Sequence, residues 1–530
     1  MSLSPDQIDR LVDKVVERLR AAGVGEGGDR NSRADTNLRA DTNLRGDSSS
    51  RGDSNSRGDT NPRATLSQEG AGNDGAGRGF ATREPARSAT YLRAAGLGIH
   101  DDLDAAVAAA NRAFEIWRDV RVEVRAKCIA AIRKVCLDRV EEIAHKAVAE
   151  TGLGRVSDKL IKNRVAIEKT PGLEILNTVA FTGDDGLTLQ ERAPFGTLLS
   201  ITPSTNPTET IINNAIGMIA GGNSVVFNVH PGAKQISRTV ITWINEAIVA
   251  NGGPPDLVAC IAEPTIESAQ ALMKHPGIRV VVVTGGGAVV KQAMSSGKRA
   301  ICAGPGNPPV LVDETADLVQ AGRDVVMGAS MDNNIICIVE KELFAVRSIA
   351  DALKAQMLRH GAVEVDGAQL SRLEKTVVTK DGHVNRDFIG KDARKIAEAA
   401  GIRVEGDPRL LLCEVDASHP FVQLELLMPV LPMVRVQDFE VGIRESVKAE
   451  HGFFHTAVMH SRNIDHLHQM ARAVNTSLFI KNGPSWAGLG VGGEGYTAWT
   501  IAGSSGDGLT TARTFTRERR CTLKDKLRIV

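Results

Sequence analysis

Residues 279–283 read Arg-Val-Val-Val-Val and run straight into Thr284-Gly285-Gly286-Gly287. Four consecutive valines cannot alternate between core and water, so this strand is apolar on both faces and belongs inside a sheet covered on both sides. Around it, short β runs alternate with helical stretches. Gly196 to Thr202 and Ser224 to Val229 read as strands flanking a helix over Thr208 to Ala220. Strand, helix, strand units of this length predict a parallel, doubly wound α/β fold. Upstream, Leu103, Val107, Ala110, Phe114 and Trp117 mark an amphipathic helix, and Val124 to Ala149 predicts one longer alanine-rich helix.

The N-terminal part has a different character. Ser4 and Pro5 suit a helix start, and Ile8, Leu11, Val12, Val15, Val16 and Leu19 form an apolar stripe that ends at Gly23. From about Gly25 to Thr90 there are too few apolar residues to offset the entropy of ordering. Within that stretch Arg33, Arg39, Arg45, Arg51 and Arg57 each begin Arg-(Ala/Gly)-Asp-(Thr/Ser) at six-residue spacing. Drift of this repeat accounts for its Arg-Gly-Asp triplets. The expected organisation is an amphipathic helix (1–23), a disordered tether (24–97) and a globular body from about residue 98. A helix on a tether suits docking to another protein; folding back on the body or self-association fits the pattern equally well.

Bulk properties narrow the class. At 530 residues the chain has room for two or three domains, and 42% hydrophobic content is ordinary for a soluble protein. Sixty-four basic residues balance 64 acidic ones, so charge gives no reason to expect nucleic acid or an anionic membrane. No run approaches a membrane span, and no secretory signal is visible; the expectation is a cytoplasmic protein. Seven scattered cysteines without CxxC pairs argue against a disulfide framework and a structural zinc site, and no metal is expected.

Three stretches carry candidate chemistry. Ser330-Met331-Asp332-Asn333-Asn334-Ile335-Ile336-Cys337 sets a single thiol among apolar residues behind two amides. Taken alone, Cys337 fits a core position better than a nucleophile, because cysteine is among the most buried residue types. Gly285, Gly286 and Gly287 at a strand end suit either a tight turn or close backbone approach to a phosphate, because the GxGxxG fingerprint is absent. Asn206 before Pro207 suits a helix cap as well as a hydrogen-bond donor to substrate.

Together these segments resemble the aldehyde dehydrogenase superfamily, and within it the CoA-acylating branch found in bacterial microcompartments, from about residue 98 to the C-terminus. Ala193-Pro194-Phe195-Gly196 leading to Thr202-Pro203-Ser204-Thr205-Asn206-Pro207 resembles the turn supplying the oxyanion-binding asparagine, which implies Asn206. Val225 to Pro231 resembles the strand end that holds the adenosine half of NAD, with His230 where hydrolytic relatives carry lysine. Thr284 to Gly287 resembles the pyrophosphate turn, with Val290 replacing the second glycine. Glu425-Leu426-Leu427-Met428-Pro429 resembles the segment whose glutamate meets the nicotinamide ribose. Asp332-Asn333-Asn334 before Cys337, Gly490 to Tyr496 and Arg513 to Cys521 are similar to acetaldehyde and propionaldehyde dehydrogenases of ethanolamine- and propanediol-degrading shells.

The resemblance implies a Rossmann-type cofactor domain over 98–305 with an oligomerisation hairpin near 186–193. It further implies a catalytic domain over 306–480 and a return to the cofactor domain with a β arm over 481–530. It implies Cys337 as nucleophile and Asn206 as oxyanion donor. Thr202, Pro203, His230, Pro231, Thr284, Gly285, Gly286, Gly287 and Glu425 are implied at the cofactor site. NAD and coenzyme A are the implied cofactor and co-substrate, and a short aldehyde, with propionaldehyde preferred, the substrate. A homo-oligomer, dimer or dimer of dimers, is implied, in which Arg513 to Arg520 pairs with Leu187 to Arg192 of another subunit. Residues 4–22 then read as an encapsulation helix that docks to shell or core proteins in a microcompartment lumen.

Hydrolytic relatives carry a water-activating glutamate where this chain has Ala303, within Cys302-Ala303-Gly304-Pro305-Gly306-Asn307. Water needs a general base more than a thiol does, so losing it suits release to CoA. The rivals are a hydrolytic enzyme giving a free acid, which Ala303 opposes, and an inactive shell component, which intact Cys337, Asn206 and Glu425 oppose. A phosphorylating enzyme would need a base histidine near Cys337, and none lies near it in sequence. Ile336 and Ile338 flank the thiol with bulk that favours a short aliphatic aldehyde.

Overall fold

The structure, a computed structural model, describes residues 97–530. The expected helix over 4–22 and the repeat-bearing tether lie outside the described residues. Strands in chain order are β1 (Ile99–His100), β2 (Val179–Gly183), β3 (Gly186–Pro194), β4 (Thr197–Ile201), β5 (Ser224–Asn228), β6 (Val258–Ile261), β7 (Val280–Thr284) and β8 (Arg299–Ala303). All but β2 and β3 form one parallel sheet in the order β1-β6-β5-β4-β7-β8.

The valine run is β7, and its side chains divide between two cores. Val280 and Val282 join Leu198, Ile211 and Trp117 on one face, whereas Val281 and Val283 join Leu199, Val226 and Val107 on the other. Both faces are covered by helices, as the unbroken apolar run requires. From β4 the chain adds β5 and β6 to one side, then returns to place β7 and β8 on the other. The β4/β7 boundary is therefore the point where connections diverge, and in doubly wound sheets ligands bind at the strands' carboxyl ends at such a point.

A second parallel sheet follows: β9 (Pro309–Val312), β10 (Glu342–Val346), β11 (Ala362–Glu364), β12 (Leu410–Glu414), β13 (Val430–Val436), β14 (Thr456–His460) and β15 (Leu478–Lys481). Its order is β11-β12-β13-β10-β9-β14-β15. The chain then crosses back through β16 (Ile501–Ala502) and β17 (Gly508–Leu509), where Thr500 Oγ1 meets Thr284 Oγ1 at 2.7 Å. It ends in β18 (Thr516–Lys524).

Two expectations change. The alanine-rich stretch is two helices, Val122–Leu137 and Val140–Thr151. Lys134 pairs with Asp138 at 2.7 Å at the end of the first, and Arg139 leaves helical geometry with its guanidinium 5.0 Å from the Trp243 ring. The basic C-terminal strand pairs within its own chain: β18 runs antiparallel to β3 from Thr516↔Pro194 to Lys524↔Gly186, with β2 on the other side of β3. The nine-residue register satisfies the facing backbone groups without another subunit. Among the described residues no helix is long and apolar enough to cross a membrane.

Candidate active site

The loop before Cys337 begins with three successive residues in the left-handed region, Asp332, Asn333 and Asn334, at φ 49°, 53° and 67°. Aspartate and asparagine are the side chains other than glycine that tolerate this best. Asp332 Oδ1 accepts from Arg155 N at 2.8 Å, and Asn333 Nδ2 donates to Gly390 O at 2.9 Å. Asn334 Nδ2 donates to Ala329 O at 2.6 Å and Glu340 O at 2.9 Å. From below, the buried Lys341 ammonium donates to Asn334 O and Oδ1, both at 2.7 Å, and to Ile336 O at 3.3 Å. Ile336 and Ile338 are buried in the core of the second sheet, and Cys337 stays half-buried against it. Their bulk goes into that core, which removes the expected argument for aldehyde size.

Gly306 is where the site closes. A Cβ there would lie 2.9 Å from Cys337 O and 3.0 Å from His455 Cγ, and its N–H donates to the Glu425 carboxylate. A bare backbone is what lets Cys337 and His455 approach here, while Glu425 meets the Gly306 N–H. Burial pushes the Cys337 thiol up to about 12, helped by the Glu425 charge and opposed by Lys341 and Lys162. The resting nucleophile is therefore a thiol. Burial lowers Lys341 to about 8, with Glu425 its strongest counterweight, and burial raises Glu425. His455 is buried, lowered to about 4 and thus neutral, with no hydrogen-bond partner for Nε2 among the described residues.

Asn206 occupies the N-cap position of helix Pro207–Ala220, yet its side chain makes no cap bond. Its Oδ1 instead accepts from Lys162 Nζ at 2.6 Å, and its Nδ2 donates to Thr205 Oγ1 at 3.2 Å, leaving one amide hydrogen uncommitted. The capping alternative fails, and a buried donor remains.

At the strand ends of the first sheet, Thr202 follows β4 with its buried Oγ1 unpartnered among the described residues, and Pro203 is half-buried beside it. Gly287 opens helix Gly287–Met294 beyond β7, and a Cβ on Gly286 or Gly287 would meet nothing within 4 Å. Neither glycine has positive φ, so access to the backbone, rather than turn geometry, is what glycine supplies here. Open N–H groups at a helix start and an orphaned hydroxyl fit a dinucleotide. Gly285 N is committed to Ala303 O at 3.0 Å and the Thr284 hydroxyl to Thr500, so these two contribute less than expected. His230 and Pro231 are exposed beyond β5, and His230 Nδ1 accepts from Gly232 N at 3.0 Å. That bond uses one ring nitrogen to cap the short helix Pro231–Ala233.

Lys162, Lys341, Gly306 and His455 are absent from the sequence-based site. Lys162 lies about 175 residues before Cys337 in sequence, and His455 in another strand segment far from it. Cys302 is a buried residue of β8, its thiol raised to about 11 by burial, and is packing.

The sequence pattern of the aldehyde dehydrogenase family matches residues 73–497. The acetaldehyde dehydrogenase (acetylating) EutE of Salmonella typhimurium is 52% identical over 440 residues, spanning 82% of this chain and 94% of that one. Propanal dehydrogenase (CoA-propanoylating) from the same organism is 46% identical over 435 residues, spanning 82% and 94%. The structure of Rhodopseudomonas palustris propionaldehyde dehydrogenase with bound CoA and an acylated cysteine superposes with TM-score 0.80 at 47% identity, covering 81% of this chain and 98% of that one. A propionaldehyde dehydrogenase from the Clostridium phytofermentans fucose utilisation bacterial microcompartment superposes with TM-score 0.81 at 44% identity, covering 82% and 100%. With its two parallel sheets, its cysteine loop between them and these likenesses along most of its length, the chain belongs to the aldehyde dehydrogenase family.

Proposed function

We propose that this chain is an acylating aldehyde dehydrogenase that converts a short aliphatic aldehyde, propanal first, with NAD and CoA into acyl-CoA and NADH. The observation that carries this reading is the convergence of Cys337, Glu425 and His455 on Gly306, with Ala303 in β8 where a water-activating carboxylate would stand. Relatives named for acetylation and propanoylation support it.

The backbone N–H groups of Gly286 and Gly287, with Thr202 and Pro203, would hold the pyrophosphate of NAD; His230 and Pro231 would border its adenosine, and Glu425 its nicotinamide ribose. When bound, the nicotinamide supplies the hydride acceptor. The half-buried Cys337 thiol gives its proton to solvent water and adds as thiolate to the aldehyde carbonyl, and the oxyanion is held by the free amide hydrogen of Asn206 and the Cys337 N–H. Loss of hydride leaves a thioester on Cys337. His455 takes the proton of the incoming CoA thiol, and Cys337 departs as thiolate with Lys341 beneath its loop.

The sheet of β2, β3 and β18 has no core of its own, and Val179, Phe181, Leu189 and Leu523 are exposed on it. This is the arm through which copies associate. Residues 4–22 act as an encapsulation helix that takes the enzyme into a microcompartment lumen in the bacterial cytoplasm.

Incubation with propanal and NAD without CoA tests the chemistry: the peptide containing Cys337 should gain one propanoyl group by mass. NADH formation with that peptide unmodified would overturn the assignment.

A further inference from the structure

We propose that Lys162 is a positioning residue for acylation: it holds the Asn206 carboxamide by its oxygen, so that the NH2 faces the oxyanion, and ties it to Asp332 in the cysteine loop. The inference rests on the reading of Asn206 as the oxyanion donor.

Helix Val156–Lys169 places Lys159, Lys162, Asn163 and Ala166 on one face, and that face is buried. Lys162 Nζ meets three oxygens there: Asp332 Oδ2 at 2.5 Å, Asn206 Oδ1 at 2.6 Å and Glu209 Oε1 at 3.3 Å. Lys159 Nζ reaches the same Asp332 Oδ2 at 3.1 Å and Thr205 O, next to Asn206, at 3.1 Å. Two cations and two carboxylates thus balance in the interior, which is the condition for burying them at all.

The two ends of a carboxamide have nearly the same shape, so packing alone does not choose between amide oxygen and amide nitrogen. An ammonium has donors only, and it therefore accepts one orientation. Were Asn206 reversed, its NH2 would face Nζ and its carbonyl would face the developing oxyanion, turning a stabilising contact into a repulsive one. With its three donors engaged, Lys162 is no free base or nucleophile. Its second partner gives it reach: Asp332 opens the left-handed turn that leads to Cys337, and its Oδ1 is held by Arg155 N. One ammonium therefore sets the distance between the oxyanion donor and the loop that presents the nucleophile.

The test is a double-mutant cycle on the NADH burst measured without CoA, which isolates acylation. Asn206→Ala should slow the burst on the order of 100-fold or more. Lys162→Met should slow it by a comparable factor, with the aldehyde concentration for half-saturation and NAD affinity unchanged. The double variant should be no slower than Asn206→Ala. A purely structural lysine would lower burst amplitude and thermal midpoint, and its effect on rate would multiply with that of Asn206→Ala. Multiplying losses, or a wild-type burst rate in Lys162→Met, would overturn the inference. A wild-type rate in Asn206→Ala would instead overturn the oxyanion reading beneath it. Should Lys162→Met not fold, Asp332→Asn keeps the shape and weakens the grip; a slower burst that vanishes as a separate effect on the Asn206→Ala background supports the coupling, and a multiplying loss refutes it.

Discussion

Lys341 Nζ lies 2.7 Å from both the backbone carbonyl and the side-chain oxygen of Asn334, on the turn that delivers Cys337. One buried cation thus holds the nucleophile's loop and favours its thiolate, while Glu425 acts against that thiolate.

The opposed charges predict opposite effects on Cys337 alkylation in the free enzyme. With the thiol near 12, iodoacetamide should react slowly at neutral pH. The rate should climb about tenfold per pH unit towards that value. Glu425→Gln should accelerate it severalfold and Lys341→Met should slow it, with peptide mass separating Cys337 from the exposed Cys521. Equal rates in both variants would refute this electrostatic account.

Gly306→Ala places a methyl between the Cys337 carbonyl and His455. Overpacking of this kind costs about 1–3 kcal/mol. Denaturant unfolding should show that loss, and turnover should fall at least tenfold because the nucleophile and its neighbours are displaced together. A variant with wild-type stability and turnover would mean that the three residues do not converge there.

His455→Ala should retain the NADH burst and lose CoA-dependent turnover by roughly 100-fold or more, the usual range for a general base. Loss of the burst itself would place His455 in acylation instead.

The site was unequally legible in the sequence. Four valines announced a buried strand, and glycines after it marked an open backbone, because both signals are local. Asp332, Asn333 and Asn334 looked like a motif; the structure gives their physical reason, three left-handed residues in a row. Lys159, Lys162 and Lys341 were illegible because a lysine's usual place is water, and only partners brought from distant segments make burial tolerable. His455 was missed for the same reason, since Gly306 is what brings it to Cys337. The pairing of Arg513 to Arg520 with Leu187 to Arg192 was legible as a match of segments, but the sequence cannot tell one chain from two, and β18 lies against β3 of its own chain.

Acid should destabilise the fold in part through His460, buried with Nε2 unpartnered among the described residues and lowered by burial from 6.5 to about 4. A depressed folded value means that this histidine's contribution is present above about pH 6.5 and is lost as pH falls towards 4. Relative to His460→Leu, the wild type should lose about 2–3 kcal/mol between pH ~7 and pH ~4.5 in urea unfolding. A constant difference between the two proteins would show that His460 is not buried neutral.

The most direct measurement is NADH formation from propanal and NAD, with and without CoA, in the wild type and Cys337→Ala, with the product identified by mass. Sustained turnover only with CoA, giving propanoyl-CoA and abolished in Cys337→Ala, is the predicted result. Sustained turnover without CoA, giving propanoate, would contradict it, because another group would then be activating water in a site whose β8 ends in Ala303.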